Sequence, residues 1–148
     1  MEQIPGDDPD SFDPSGKRIT KMRICKEGNG LWATTHYEAV LQDPFWAVVC
    51  CRLETGRTHQ IRVHLTGEDL PLIGDQLYRG RAPGIAVKVE NFLEFHRQAL
   101  HASRLGLIHP ATGEEMEWFV EPPEDMIDLM EQLGFGPWDR PVTVFEKK

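Results

Sequence analysis

The sequence holds little cysteine, little tyrosine and less base than acid: three cysteines, two tyrosines, and 16 Lys+Arg against 24 Asp+Glu in 148 residues. Cys50 and Cys51 are neighbours whose side chains diverge in a strand, so with Cys25 they make no disulfide framework and point to a reducing compartment. No apolar run approaches the roughly 20 residues of a membrane-spanning helix, and the acidic start MEQIPGDDPDSFD has none of the base of a signal or transit peptide. The expected location is the cytosol. CxxC, HExxH and GxSxG are all missing, which removes the common zinc and nucleophile-elbow signatures. The paired histidines His59/His64 and His96/His101 are each five apart, where helical metal pairs prefer three or four, so they read as ordinary histidines.

The hydrophobic fraction of 40% and charged fraction of 27% are those of a globular chain, and the length is that of one domain or part of one. A formal charge of −8 argues against a polyanionic partner until it is divided along the chain. Residues 1–50 carry −3, residues 51–104 carry +2 and residues 105–148 carry −7. The middle third is mildly basic, and a local patch is what a polyanion feels.

Residues 1–16 contain five acids, three prolines and no base, and read as a flexible acidic leader to a single unit over 17–148. Alternation over 17–23 suggests a polar, edge-like strand, with a turn at 27–30. LWATTHYEAVLQ (31–42) and FWAVVCCRLE (45–54) are β-branched and aromatic and read as antiparallel neighbours joined at Asp43-Pro44. RTHQIRVHL (57–65) changes rhythm to a short helix, with Thr58 as its N-cap and Gly67 closing it. A Gly/Pro-rich loop follows over 71–84. Strands are expected at 98–107 and 115–121, and a helix at 123–135 with Pro123 in its first turn and Gly134 as its stop. The sum is an α+β fold, a mostly antiparallel mixed sheet with a few short helices.

LETGRTHQIRVHL (53–65) is the densest group of functional side chains. A Gly-containing turn entering a helix suits phosphate or carboxylate, and Arg57 and Arg62 could bracket such a group with forked hydrogen bonds. Equally, the segment reads as a solvated short helix with unremarkable arginines. Spacing alone does not decide between the two.

The block LETGRTHQIRVHL, then Gly74, Asp75 and Tyr78 in a GD..Y pattern, then LHASRLGLIHPATGEEMEW (100–118), resembles the RluA-type RNA pseudouridine synthases. The three blocks keep the family's order, and the likeness runs over about residues 13–125, taking in GKRITKMRI and ATTHYEAVL. The resemblance implies isomerisation of uridine to pseudouridine in ribosomal or transfer RNA, without metal or organic cofactor, on a base flipped from its stack. It also implies an aspartate nucleophile paired with the arginine of the HQIR segment, here Arg62. Arg57, His59, Gln60 and Ile61 would contact RNA or substrate, with Ile61 lining the base pocket. Thr55, Gly56, Gly74, Asp75, Tyr78 and His101 would be structural residues near the site.

The nucleophile's own block, of the form HRLDxxTSG, does not occur in this sequence; RLET at 52–55 carries Glu54 instead, and Tyr37 lies in the wrong block for the family's active-site tyrosine. The expectation is the C-terminal part of a pseudouridine synthase catalytic domain, inactive as an isolated partial chain. Its partners would be RNA and either a complementary N-terminal fragment or a second copy joined through open sheet edges, with no membrane. Two other readings stand beside it: a non-catalytic RNA-binding remnant, and an acidic interaction module docking through the stripe Met126, Leu129, Met130 and Leu133.

Overall fold

The computed structural model describes residues 2–4, 21–25, 29–80 and 94–137. The expected turn at 27–30 is described only at its second half, and most of the acidic leader, strand residues 17–20 and the end of the 71–84 loop lie outside the described residues. Residues 2–4, inside the expected leader, are a strand. The order is β1 (Glu2–Ile4), β2 (Lys21–Arg23), β3 (Thr35–Gln42), β4 (Ala47–Leu53), α1 (Gln60–Gly67), β5 (Arg104–Ile108), β6 (Glu115–Phe119) and α2 (Glu124–Gln132). The strands pair as β1–β2, β3–β4 and β5–β6. Among the described residues the result is an α+β arrangement of short antiparallel pairs with two helices.

The chain divides into two compact units, one of residues 1–38 and 51–98, the other of 39–50 and 99–148. In the first, β1 and β2 are antiparallel, with Gln3 opposite Met22. Met22, Val63 and Tyr78 form its buried cluster, with Ala33 and Leu77 packed against it. Val63 and Leu65 are the apolar residues that α1 buries, each contributing roughly 1.5–3 kcal/mol. The β3–β4 hairpin has bonded ends: Glu54 N–H donates to Thr34 O at 3.2 Å and Asp43 N–H to Trp46 O at 2.9 Å. Its turn is built by Asp43, whose Oδ1 accepts from the N–H groups of Phe45 and Trp46 at 2.6 and 2.7 Å.

Both ends of α1 differ from the sequence expectation. The residue capping its start is His59, in the left-handed region at φ 55°, with no side-chain cap bond; Thr58 lies one position too early. At the other end the left-handed residue is Asp69, φ 58°, and Leu70 N–H reaches back to Leu65 O at 2.8 Å, as in a glycine-terminated helix. Aspartate is among the few residues that tolerate this conformation. Gly67 is the last helical residue, with the Ile24 side chain packed beside it.

The second unit holds residues 39–50, the turn end of the β3–β4 hairpin, together with β5, β6 and α2. β5 begins only at Arg104, because residues 98–103 are not strand, and β6 ends at Phe119, because residues 120 and 121 are not strand. They pair in register from Arg104–Phe119 to Ile108–Glu115. α2 follows Pro123, carries Glu124 and Asp125 in its first turn, and ends before Gly134 at φ 88°, the acids matching the positive end of the helix dipole. Leu129 and Met130 are buried and Met126 and Leu133 half-buried, so this stripe is spent largely inside the fold. Among the described residues no helix is long and apolar enough to cross a membrane.

Gly74 is the one glycine on which the first unit's packing turns. Its φ is 73°, and an added Cβ would stand 2.0 Å from Arg97 O and 2.9 Å from the Phe95 ring. Gly74→Ala therefore combines a left-handed strain of about 1–2 kcal/mol with overpacking of about 1–3 kcal/mol. The expected result is a loss of at least about 2 kcal/mol in urea unfolding with an unchanged m-value.

Candidate active site around Arg62 and Asp75

Helix α1 and the loop after it bring Arg62, Asp75, Tyr78 and His59 into one group inside the first unit. Asp75 is its centre. Its side chain is fully buried, and its Oδ2 takes the Arg62 Nε–H at 2.7 Å while Oδ1 takes Arg62 Nη2–H at 2.8 Å. The same Oδ1 accepts the backbone N–H groups of Leu77 and Tyr78, each at 2.9 Å. Four donors on one buried carboxylate make it both an anchor for the arginine and the organiser of its own loop. Burial by itself would push the Asp75 pKa up; the Arg62 bond and the two backbone N–H groups outweigh it and hold the carboxyl below its ordinary value. Arg62 is correspondingly raised by its bond to Asp75.

The guanidinium also lies over the Tyr78 ring, 4.8 Å from its centroid, so a carboxylate and a π-face fix its plane together. Two of its five N–H donors are committed to Asp75, and its side chain retains 13% exposure. Among the described residues the remaining donors are the chemically available part of the group.

Tyr78 links this pair to the helix start. Its hydroxyl accepts the Met22 N–H at 2.8 Å and lies 2.9 Å from His59 Nδ1. The Tyr78 hydroxyl, which has one proton and two acceptor lone pairs, can complete this bond with His59 in either direction. Burial, followed by the charge of Arg62, lowers the His59 pKa and favours the neutral ring. His64 on the same helix is lowered by burial too, and its Nδ1 is 2.9 Å from Thr35 Oγ1.

The other expected site residues are placed differently. Gln60 is 3% exposed, and its amide is saturated: Oε1 accepts from Thr55 Oγ1 and Arg57 N–H, while Nε2 donates to Thr34 O and Thr35 Oγ1. It ties the helix start to β3 and has no donor or acceptor left for RNA. Thr55 is completed by this network, since its Oγ1 also accepts the Thr34 N–H at 3.0 Å. Arg57 is exposed and spends its Nε–H on Trp32 O at 3.2 Å, so Arg57 and Arg62 are engaged separately and the anion facing Arg62 is Asp75. Ile61 is half-buried and Gly56 exposed. His101 lies in the second unit, its Nε2 donating to Val120 O at 2.9 Å. Among the described residues no group of three or more His, Cys, Asp and Glu could hold a metal ion.

Two outcomes test this geometry. Asp75→Asn leaves a buried guanidinium without its counter-charge and is expected to cost about 3–5 kcal/mol in denaturant unfolding. The histidines set a pH dependence. Because the folded pKa of His59 and of His64 lies below the unfolded value of 6.5, their contribution is complete above about pH 6.5 and is lost as pH falls toward the folded values. The unfolding midpoint should drop as pH is lowered through this window. His59→Asn, which keeps a residue tolerant of positive φ, should flatten that drop; an unchanged slope would refute the role given to His59.

Comparison with known proteins gives a consistent set of relatives, although no family model matches. The chain is 47% identical over 125 residues to the ribosomal large subunit pseudouridine synthase D of Haemophilus influenzae, covering 81% of this chain and 39% of that protein. Its counterpart in Escherichia coli K12 is 42% identical over 131 residues, 86% of this chain and 39% of that protein. The one in Zymomonas mobilis is 42% identical over 113 residues, 76% and 35% respectively. The chain thus spans less than two-fifths of the length of the relatives it matches. Over about four-fifths of its residues it is a homologue of one segment of the ribosomal large subunit pseudouridine synthases of the RluA type.

Proposed function

We propose that this chain is the arginine-bearing part of an RNA pseudouridine synthase that isomerises uridine in ribosomal RNA, in the cytoplasm. The observation that carries the reading is the fork between Arg62 and buried Asp75, set on the Tyr78 ring. It lies in the HQIR and GD..Y blocks through which the sequence resembles the family.

Arg62 is the residue that receives the nucleophilic aspartate. Since Asp75 already balances its charge, a second carboxylate is held less by net positive charge than by the N–H donors left on the guanidinium, oriented in advance. Preorganised donors of this kind need not reorganise when charge moves during reaction. The carboxylate stays ionised and aimed, as a nucleophile must be. Ile61 borders the base, Arg57 contacts the RNA backbone, and His59 offers Nε2 to the substrate strand. Gln60, Thr55, Gly74, Asp75 and Tyr78 hold these groups in place. The nucleophile comes from polypeptide outside this sequence, and Arg57 and Arg62 belong to the mildly basic 51–104 segment, whose charge favours RNA.

The test is a chimera in which this chain replaces the matched segment of the Haemophilus influenzae relative, assayed for pseudouridine in ribosomal RNA by mass spectrometry. The chimera is expected to convert uridine, and the isolated 148-residue chain is not. Arg62→Ala in the chimera should lower the rate by about 100-fold or more. Arg57→Lys should raise the RNA concentration needed and leave the maximal rate nearly intact, because a point charge replaces a fork. Full rate with Arg62→Ala would end this assignment.

A further inference from the structure

The β5–β6 hairpin has two faces of different chemistry, one wholly apolar and one mixed. Its register places Leu105 opposite Trp118 and Leu107 opposite Met116; pairs directly opposite point the same way, and alternate pairs share a face. Leu105, Leu107, Met116 and Trp118 therefore make one wholly apolar face. Val120, whose N–H bonds Ser103 O, extends it. The opposite face is mixed: Arg104, Glu115 and Glu117 share it with Ile108 and Phe119, which are 66% and 55% exposed, and Arg104 is bonded to Glu117 and set over the Phe119 ring at 5.4 Å. On that face Arg104 and Glu117 satisfy each other. The apolar face is open to solvent: Leu105 is 59% exposed, Leu107 41%, Met116 36%, Trp118 43% and Val120 60%.

Such a ribbon is marginal alone, since an isolated pair of strands needs a third strand or a packed layer to be stable. A contiguous apolar patch of this kind marks a docking surface. Resting on the functional reading above, we propose that this face seats the remainder of the catalytic domain, namely polypeptide equivalent to the part of the relatives that this chain does not match. More than half of each relative's length lies outside the match, which is ample chain to supply a covering layer.

The charge distribution separates this occupant from its rivals. Residues 105–148 carry −7, and the only base of the ribbon, Arg104, is turned to the other face and bonded to Glu117. RNA would meet acid and hydrocarbon there, so it belongs elsewhere. A second copy would bring another −7 segment against the first, and pairing of two β6 edges would align Glu115 and Glu117 with their own equivalents, a destabilising arrangement.

The experiment is co-expression of the full 148-residue chain with a polypeptide comprising the residues of the Haemophilus influenzae relative outside the 125 matched ones. Size-exclusion chromatography with light scattering measures the complex. A one-to-one complex is expected, weakened at least tenfold by Leu107→Lys or by Trp118→Lys. Glu115→Gln, on the opposite face, should change affinity less than twofold. Far-UV circular dichroism of each variant chain verifies that the fold is kept, as substitution at exposed positions should allow. No complex, a dimer of the 16.9 kDa chain in its place, or Leu107→Lys and Trp118→Lys binding as well as the parent would overturn the proposal. Binding is read without reference to uridine. A complex that forms but does not isomerise uridine would count against the functional reading and leave the docking face standing.

Discussion

Everything described in the first unit depends on one carboxylate taken out of water. An ionised aspartate with no solvent exposure is costly unless each lone pair finds a donor, and Asp75 finds four: two from Arg62 and one each from the Leu77 and Tyr78 backbone. Those bonds do two things at once. They draw the loop into the curve that puts Tyr78 beneath Arg62, and they fix the guanidinium plane. The Tyr78 hydroxyl then spans from Met22 in β2 to His59 at the start of α1, so the strand, the helix and the loop share one bonded network. Gly74 lets that network close, because nothing larger fits beneath Arg97 O.

Read in this light, the α1 N-terminus is better understood as a saturated joint than as an open anion site. The Gln60 amide takes up donors and acceptors from β3, the turn and Arg57, and His59 holds a left-handed conformation that a histidine adopts only at some cost. The chemistry left exposed is narrow: part of one guanidinium, one imidazole edge, and Arg57. A small set of fixed donors on a rigid base is what orientation of a reacting carboxylate requires.

Much of the architecture could be read from residue order. The β3–β4 hairpin followed from β-branched runs meeting at Asp43-Pro44, and α2 from its acidic first turn and Gly134, because these signals are local. The ends of α1 were not legible. Thr58 has the right chemistry for a cap, yet His59 occupies that position because its ring is drawn to Tyr78, 19 residues away in sequence. The pairing of Arg62 with Asp75, 13 residues apart, is likewise a tertiary fact; spacing offered Arg57 and Arg62 as a bracket, whereas the anion was in the chain itself. Gln60 could be placed among functional residues by its motif, but its burial could not, since glutamine is usually exposed. Family resemblance marked these blocks without separating their buried side chains from their exposed ones.

The two units also differ in how their apolar surface is spent, and that difference bears on function. The first unit closes a small cluster around Met22, Val63 and Tyr78 and commits its polar groups to one another. In the second, α2 buries Leu129 and Met130 while every residue of β5 and β6 remains exposed. A sequence under pressure to stand alone would place polar side chains at Leu105, Leu107, Met116 and Trp118, at no cost to the hairpin register, because alternation is preserved whichever face is apolar. Instead the polar residues sit on the face already stitched by Arg104 and Glu117. Hydrocarbon kept on an exposed face of a ribbon marks a docking surface, and the occupant proposed for it is the part of the catalytic domain outside the matched segment.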